Sequence, residues 1–170
     1  MFRILGKARR APWAPLVLVA LLAGCDPQRI AELEEGVATE ADVRARFGEP
    51  VAVYTEDNGA RTFDYPRQPA GQVNYMITIG TDGKMSALRQ VLKPANFAKV
   101  VPGLDKAAVR RLLGQPAQVQ RYALKQEEVW DWRFADGQES KVFSATFGLD
   151  GKVVSSATTL DPRDTGQLGK

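Results

Sequence analysis

One thiol and no imidazole limit the chemistry open to this chain of 170 residues. Cys25 is its single cysteine and histidine is absent. The usual general base and the commonest transition-metal ligand are therefore missing, and only one side chain could become a thiolate nucleophile. Carboxylates remain, but no motif marks an acid and base pair among them. Glu127-Glu128 reads as the solvated start of a strand. Asp82-Gly83, Asp136-Gly137 and Asp150-Gly151 place aspartates in turns, yet no segment supplies the alternating oxygen ligands and terminal glutamate of a calcium loop. Their glycines offer the positive φ of hairpin turns. Asp64 and Asp131 sit between rings in Phe63-Asp64-Tyr65 and Trp130-Asp131-Trp132 and point opposite to them, towards solvent or an interface. The chain reads as a non-enzyme with no metal, no cofactor and no small-molecule substrate indicated.

The thiol has another use. Arg3, Lys7, Arg9 and Arg10 precede an uncharged, mostly apolar run of 14 residues, Ala11 to Gly24, the length of a signal h-region and short for a bilayer span. The run ends in Leu22-Ala23-Gly24-Cys25, which resembles a lipobox, so residues 1–24 are expected to be a lipoprotein signal and Cys25 the lipidated residue. The covalent lipid is then the only attached group, no disulfide can form, and the anchor holds the chain at a membrane. Removing those four residues from the 23 basic ones leaves 19 against 20 acidic, a formal charge of −1. The basic character belongs to the signal, which argues against nucleic acid as a partner.

Behind the anchor and a tether over 25–28, the chain repeats itself. Val43, Gly48 and Pro50 recur as Val109, Gly114 and Pro116. Phe63-Asp64-Tyr65 recurs as Trp130-Asp131-Trp132, and Gly80 to Lys84 as Gly148 to Lys152. The pattern predicts tandem units over 29–92 and 93–160, followed by a polar, disordered tail over 161–170. Each unit is expected to hold two helices. The first lies over 29–35 or about 96–101. The second is capped by Thr39 with Asp42, or by Asp105, and is stopped by Gly48 or Gly114 in a left-handed C′ position with proline two residues on. Four antiparallel strands follow in each unit, in the first near 51–56, 61–65, 73–79 and 85–92. Units of about 60 residues are marginal alone, so the two are expected to share a core or a continuous sheet.

Period-two alternation places Trp130, Trp132 and Phe134 on one face and Phe63 and Tyr65 on its counterpart. These rings form either the core under the helices or a protein-binding patch on the free side, with Tyr65, Trp130 and Trp132 as the candidate partner-binding residues.

The lipobox, Thr39-x-x-Asp42-Val43 running to Gly48-x-Pro50, and the following strands together resemble the SmpA/OmlA (BamE-like) lipoprotein family. In tandem form the pattern also resembles the β-lactamase inhibitor protein fold. The resemblance implies an α+β architecture, a tandem helix-loop-helix packed on an antiparallel meander. It also implies a non-catalytic accessory or scaffold role in envelope biogenesis, with the outer-membrane β-barrel assembly machinery as protein partner. The alternative is a binder, inhibitor or sensor of a soluble periplasmic protein that uses an aromatic sheet face. Family resemblance favours the outer membrane, whereas Asp26 beside the anchor favours the inner one.

Overall fold

The computed structural model describes residue 30 and residues 32–164. The expected signal, Cys25, Asp26 and the tether lie outside the described residues, as do Arg29 and Ala31 of the predicted first helix and residues 165–170. The architecture is α+β, with two four-stranded antiparallel meanders in the orders β1-β2-β3-β4 and β5-β6-β7-β8. Helix α1 (Glu40–Phe47) leads into β1 (Ala52–Thr55), β2 (Arg61–Pro66), β3 (Asn74–Ile79) and β4 (Met85–Gln90). Helices α2 (Pro94–Phe97) and α3 (Lys106–Leu113) lead into β5 (Gln118–Tyr122), β6 (Glu127–Asp136), β7 (Glu139–Phe147) and β8 (Val153–Leu160).

Matching devices start and stop the principal helix of each half. Thr39 Oγ1 accepts from the Asp42 amide at 3.3 Å, while the Asp42 carboxylate accepts from the Thr39 amide at 2.9 Å. Asp105 accepts from the Ala108 amide at 2.7 Å. Gly48 (φ 80°, ψ −159°) and Gly114 (φ 73°, ψ −165°) end the helices. Their φ is positive as expected, but ψ is extended instead of left-handed helical. The chain leaves the helix directly into a strand, through a conformation only glycine adopts easily. Just before each helix the chain pairs with the last strand of its own half: the Met85 amide donates to the Ala38 carbonyl, and the Val153 amide to that of Leu104. Two expected boundaries move. Residue 32 and residues 35–37 lie in turns, and α2 begins at Pro94, whose missing N–H costs nothing at a helix start.

Two separate cores result. Val43, Phe47, Phe63, Tyr65, Ile77, Ile79 and Met85 close the first, and Leu92, Phe97, Val109, Leu113, Trp132, Phe134, Phe143 and Phe147 close the second. Leu92, the last residue assigned to the first unit, therefore packs in the second. Among the described residues no continuous sheet joins the halves. Instead the C-terminal end of α3 covers the back of the first sheet. The Asn74 side-chain amide, fully buried, donates to the carbonyls of Leu113 at 2.7 Å and Gln115 at 2.9 Å. Arg111 reaches the Thr55 carbonyl at 3.1 Å, and from the 67–73 loop the Gln68 amide donates to the Arg133 carbonyl at 2.7 Å.

Asn74 is thus the polar fastener between the halves. Asn74→Ala leaves the buried Leu113 carbonyl and the part-buried Gln115 carbonyl without this donor and is expected to cost about 1–3 kcal/mol. Urea unfolding should show this as a lower midpoint of one shared transition. Unchanged stability would mean that the joint holds without it.

Candidate functional site

The two sheets present their faces differently. In β2 three successive residues, Phe63, Asp64 and Tyr65, are all buried, and in β3 Asn74 to Ile77 are buried without a break. A strand reads this way when both its faces are covered. In β6 burial alternates: Trp130, Trp132 and Phe134 are buried, while Val129, Asp131 and Arg133 between them are half-buried. The helices cover one face of the second sheet, and the other is open.

The open face carries a depression of about 410 Å³. Gln118 and Gln120 of β5, Asp131 and Arg133 of β6, Ser144 of β7 and Thr159 of β8 line it, with Asp161 and Arg163 just beyond. Its side chains are held by one another. Ser144 Oγ donates to Asp131 Oδ1 at 2.6 Å across the β6/β7 pair. The Arg133 guanidinium bonds the Asp161 carboxylate and the Pro69 carbonyl, so the 67–73 loop of the first half forms part of the rim. Burial works to raise the Asp161 pKa, but the Arg133 hydrogen bond, the Arg163 amide and both guanidiniums hold it below the ordinary value. This corrects the expected tail: Asp161 is buried, and residues 162–164 form a turn. The site offers fixed hydrogen-bond donors and acceptors on a rigid sheet, and no activated nucleophile. Among the described residues no group of three or more His, Cys, Asp or Glu side chains could hold a metal ion.

The aromatic candidates lie on the opposite, helix-covered side. Tyr65 and Trp132 are buried, and each donates to the glycine carbonyl that ends its own helix. The Tyr65 hydroxyl reaches the Gly48 carbonyl at 3.0 Å and the Trp132 indole the Gly114 carbonyl at 3.1 Å. Trp130, also buried, packs on Phe147 and donates to Glu128 at 2.6 Å. As a docking surface these three are corrected to core, because helices occupy the space a partner would need. Glu128 is corrected too. Arg121 at 2.9 Å, the Trp130 indole and Lys106 at 3.0 Å converge on its carboxylate and bring its pKa down to about 2. Cys25 lies outside the described residues.

Asp64, expected to face solvent or an interface, is completely buried at the joint between the halves. Its nearest cation is Arg110, with Nε 4.0 Å from Oδ2, long for a hydrogen bond. Its counterpart Asp131 has Ser144 across the strand pair, whereas Asp64 has Met76. Sequence reasoning missed Arg133, Ser144 and Asp161. A signal existed: the off-face positions of β6 and β7 are largely polar, while the matching position in β3 is Met76.

No protein-family model matches the chain, and no curated protein matches it. Several solved structures are similar. One is a candidate osmotically inducible lipoprotein, OsmE, at 20% identity over 45% of this chain and 81% of that one, with a TM-score of 0.37. A second is YjgB, a DUF4309-family protein of Bacillus subtilis subsp. subtilis str. 168, at 22% identity over 79% and 86%, with a TM-score of 0.33. A third is a candidate β-lactamase inhibitor protein from Streptococcus mutans, at 12% identity over 73% and 84%, with a TM-score of 0.34. Likenesses of this size assign the chain to no family.

Burial pushes the Asp64 carboxyl up to about 6, against the opposing pull of Arg110 and the Gln115 amide. A folded-state pKa above the unfolded one stabilises the fold while the group is protonated in both states, below about 3.8. That contribution is lost as pH rises through about 6. Relative to Asp64→Asn, the wild-type chain should therefore lose on the order of 2–3 kcal/mol between pH 4 and pH 7.5. Urea midpoints across that range would read the difference, and a gap independent of pH would contradict the assignment.

Proposed function

We propose that this chain is a non-catalytic envelope protein, lipid-anchored through Cys25, that holds a protein partner on the open face of its C-terminal sheet. One observation carries the reading. Equivalent faces of two matching sheets differ, the first sealed inside the molecule and the second open, polar and pre-ordered by Arg133–Asp161 and Asp131–Ser144. Pre-ordered side chains lose little freedom on binding, which favours recognition of a partner. Among the described residues no helix is long and apolar enough to cross a membrane, and in this reading the lipid supplies the attachment.

The tandem units 29–92 and 93–160 are read as a duplication in which the second unit keeps the docking face and the first braces it. The sequence resemblance supports an accessory role in envelope biogenesis, with the outer-membrane barrel-assembly machinery as partner and the outer membrane as location. The alternative, capture of a soluble protein by aromatic rings, is not favoured, since Tyr65, Trp130 and Trp132 are spent on internal bonds.

A photo-crosslinking residue placed in living cells at Gln120 or Thr159 on the open face, and at Lys84 as an exposed control, tests the reading. Adducts to an envelope protein from the first two sites and not from the third are expected. Equal adducts from all three sites, or none, would reject the docking face. In the same cells Cys25→Ala should move the chain from the membrane to the soluble fraction; retention in the membrane would reject the anchor.

A further inference from the structure

The outer edges of the two sheets are finished differently. In the first half, edge strand β4 is guarded: the Leu88 amide, which has no strand beyond it, donates to the Glu35 carboxylate at 2.8 Å, and Arg89 bonds the same carboxylate. In the second half, Gly103 stands where Gly36 stands in the first, since each donates its amide to the first residue of its last strand, Val153 or Met85. The position equivalent to Glu35 is therefore Pro102, which has no side-chain acceptor. At its start edge strand β8 is covered, since Val153 exchanges main-chain bonds with Gly103 and Leu104; beyond Val153 its main chain pairs only with β7 among the described residues, and the Ser156 hydroxyl reaches the Val100 carbonyl at 3.5 Å. From Val154 to Leu160 it reads Val-Ser-Ser-Ala-Thr-Thr-Leu, with every residue exposed and none charged. An exposed edge of this length is usually blunted by charge, proline or a cover.

The geometry points to β8 as a self-pairing edge, which joins two copies of this chain in an antiparallel dimer centred on Ala157. The Asp161 amide turns inward to the Ser140 carbonyl, so strand alternation turns the main-chain groups of Thr159, Ala157 and Ser155 inward too. Those of Leu160, Thr158 and Ser156 face outward. With the two-fold axis at Ala157, Ser156 of one copy meets Thr158 of the other on both sides of the axis, giving about four main-chain hydrogen bonds. A bulge in the β7/β8 pairing leaves Val154 outside the regular alternation, so the regular part of the pairing runs over Ser155 to Thr159, with the exposed apolar side chains of Val154 and Leu160 at its two ends. Lacking charge, the strand meets no like-charge opposition when paired with itself. A two-fold axis normal to the sheet keeps each side chain on its own face, so the two open faces merge into one polar surface. A second copy is also the occupant that matches this edge in length and in its lack of charge.

The test is the protein mass of the full chain in mild detergent, measured by light scattering. The wild-type chain should have twice the monomer mass. Ala157→Lys, which sets two ammonium groups face to face at the axis from an exposed position, should have the monomer mass with unchanged circular dichroism and melting temperature. Leu160→Ala should weaken the dimer without abolishing it. A wild-type chain that stays monomeric up to its solubility limit would overturn the inference, as would a dimer that survives Ala157→Lys.

Discussion

At the joint between the two halves, Gly114 approaches the Asp64 carboxylate so closely that a Cβ there would stand 2.7 Å from Oδ1. The same turn presents the carbonyls on either side of Gly114 to Asn74 and its own carbonyl to Trp132. Glycine is required twice over, for its positive φ and for this close approach. The end of α3 is thereby bonded to both sheets at once, to its own through Trp132 and to the preceding one through Asn74. The order of layers in the molecule follows from that double attachment.

The corresponding turn of the first half, at Gly48, has only its own sheet to hold. Tyr65 supplies the bond that Trp132 supplies in the second half. A polar-tipped aromatic suits this position because the ring fills the core while its N–H or O–H satisfies a carbonyl left over by the helix end. Tyr65 of β2 and Trp132 of β6 are explained by this internal task.

The open face of the second sheet cannot take a helix end in the way the first sheet does. Where the first sheet has Asn74, the matching register position of β7 is Val142, which has no amide to offer two carbonyls, and Ser144 replaces Met76. Head-to-tail stacking of copies through this face lacks the amide anchor that Asn74 supplies in the first sheet. A heterologous contact of that kind would grow into open chains. Strand pairing through β8 closes on itself.

The helix stops, the caps at Thr39 and Asp105, the hairpin turns and the period-two rings were legible in the amino-acid order. Each depends on residues close together in the chain, where backbone geometry, capping and alternation act. What the chain order left open was which face of each sheet meets the other half. Asp64 and Asp131 each stand between two aromatic residues and at matching positions of their strands, yet one is sealed in the joint and the other lines an open depression. The difference arises from contacts across distant segments, Asn74 to Leu113 and Arg133 to Asp161, made only when the halves pack. Local sequence therefore determined most of the elements and which residues of a strand share a face. Tertiary packing alone decided which outward face was covered, because burial of that face depends on the position of the other half and not on the strand itself.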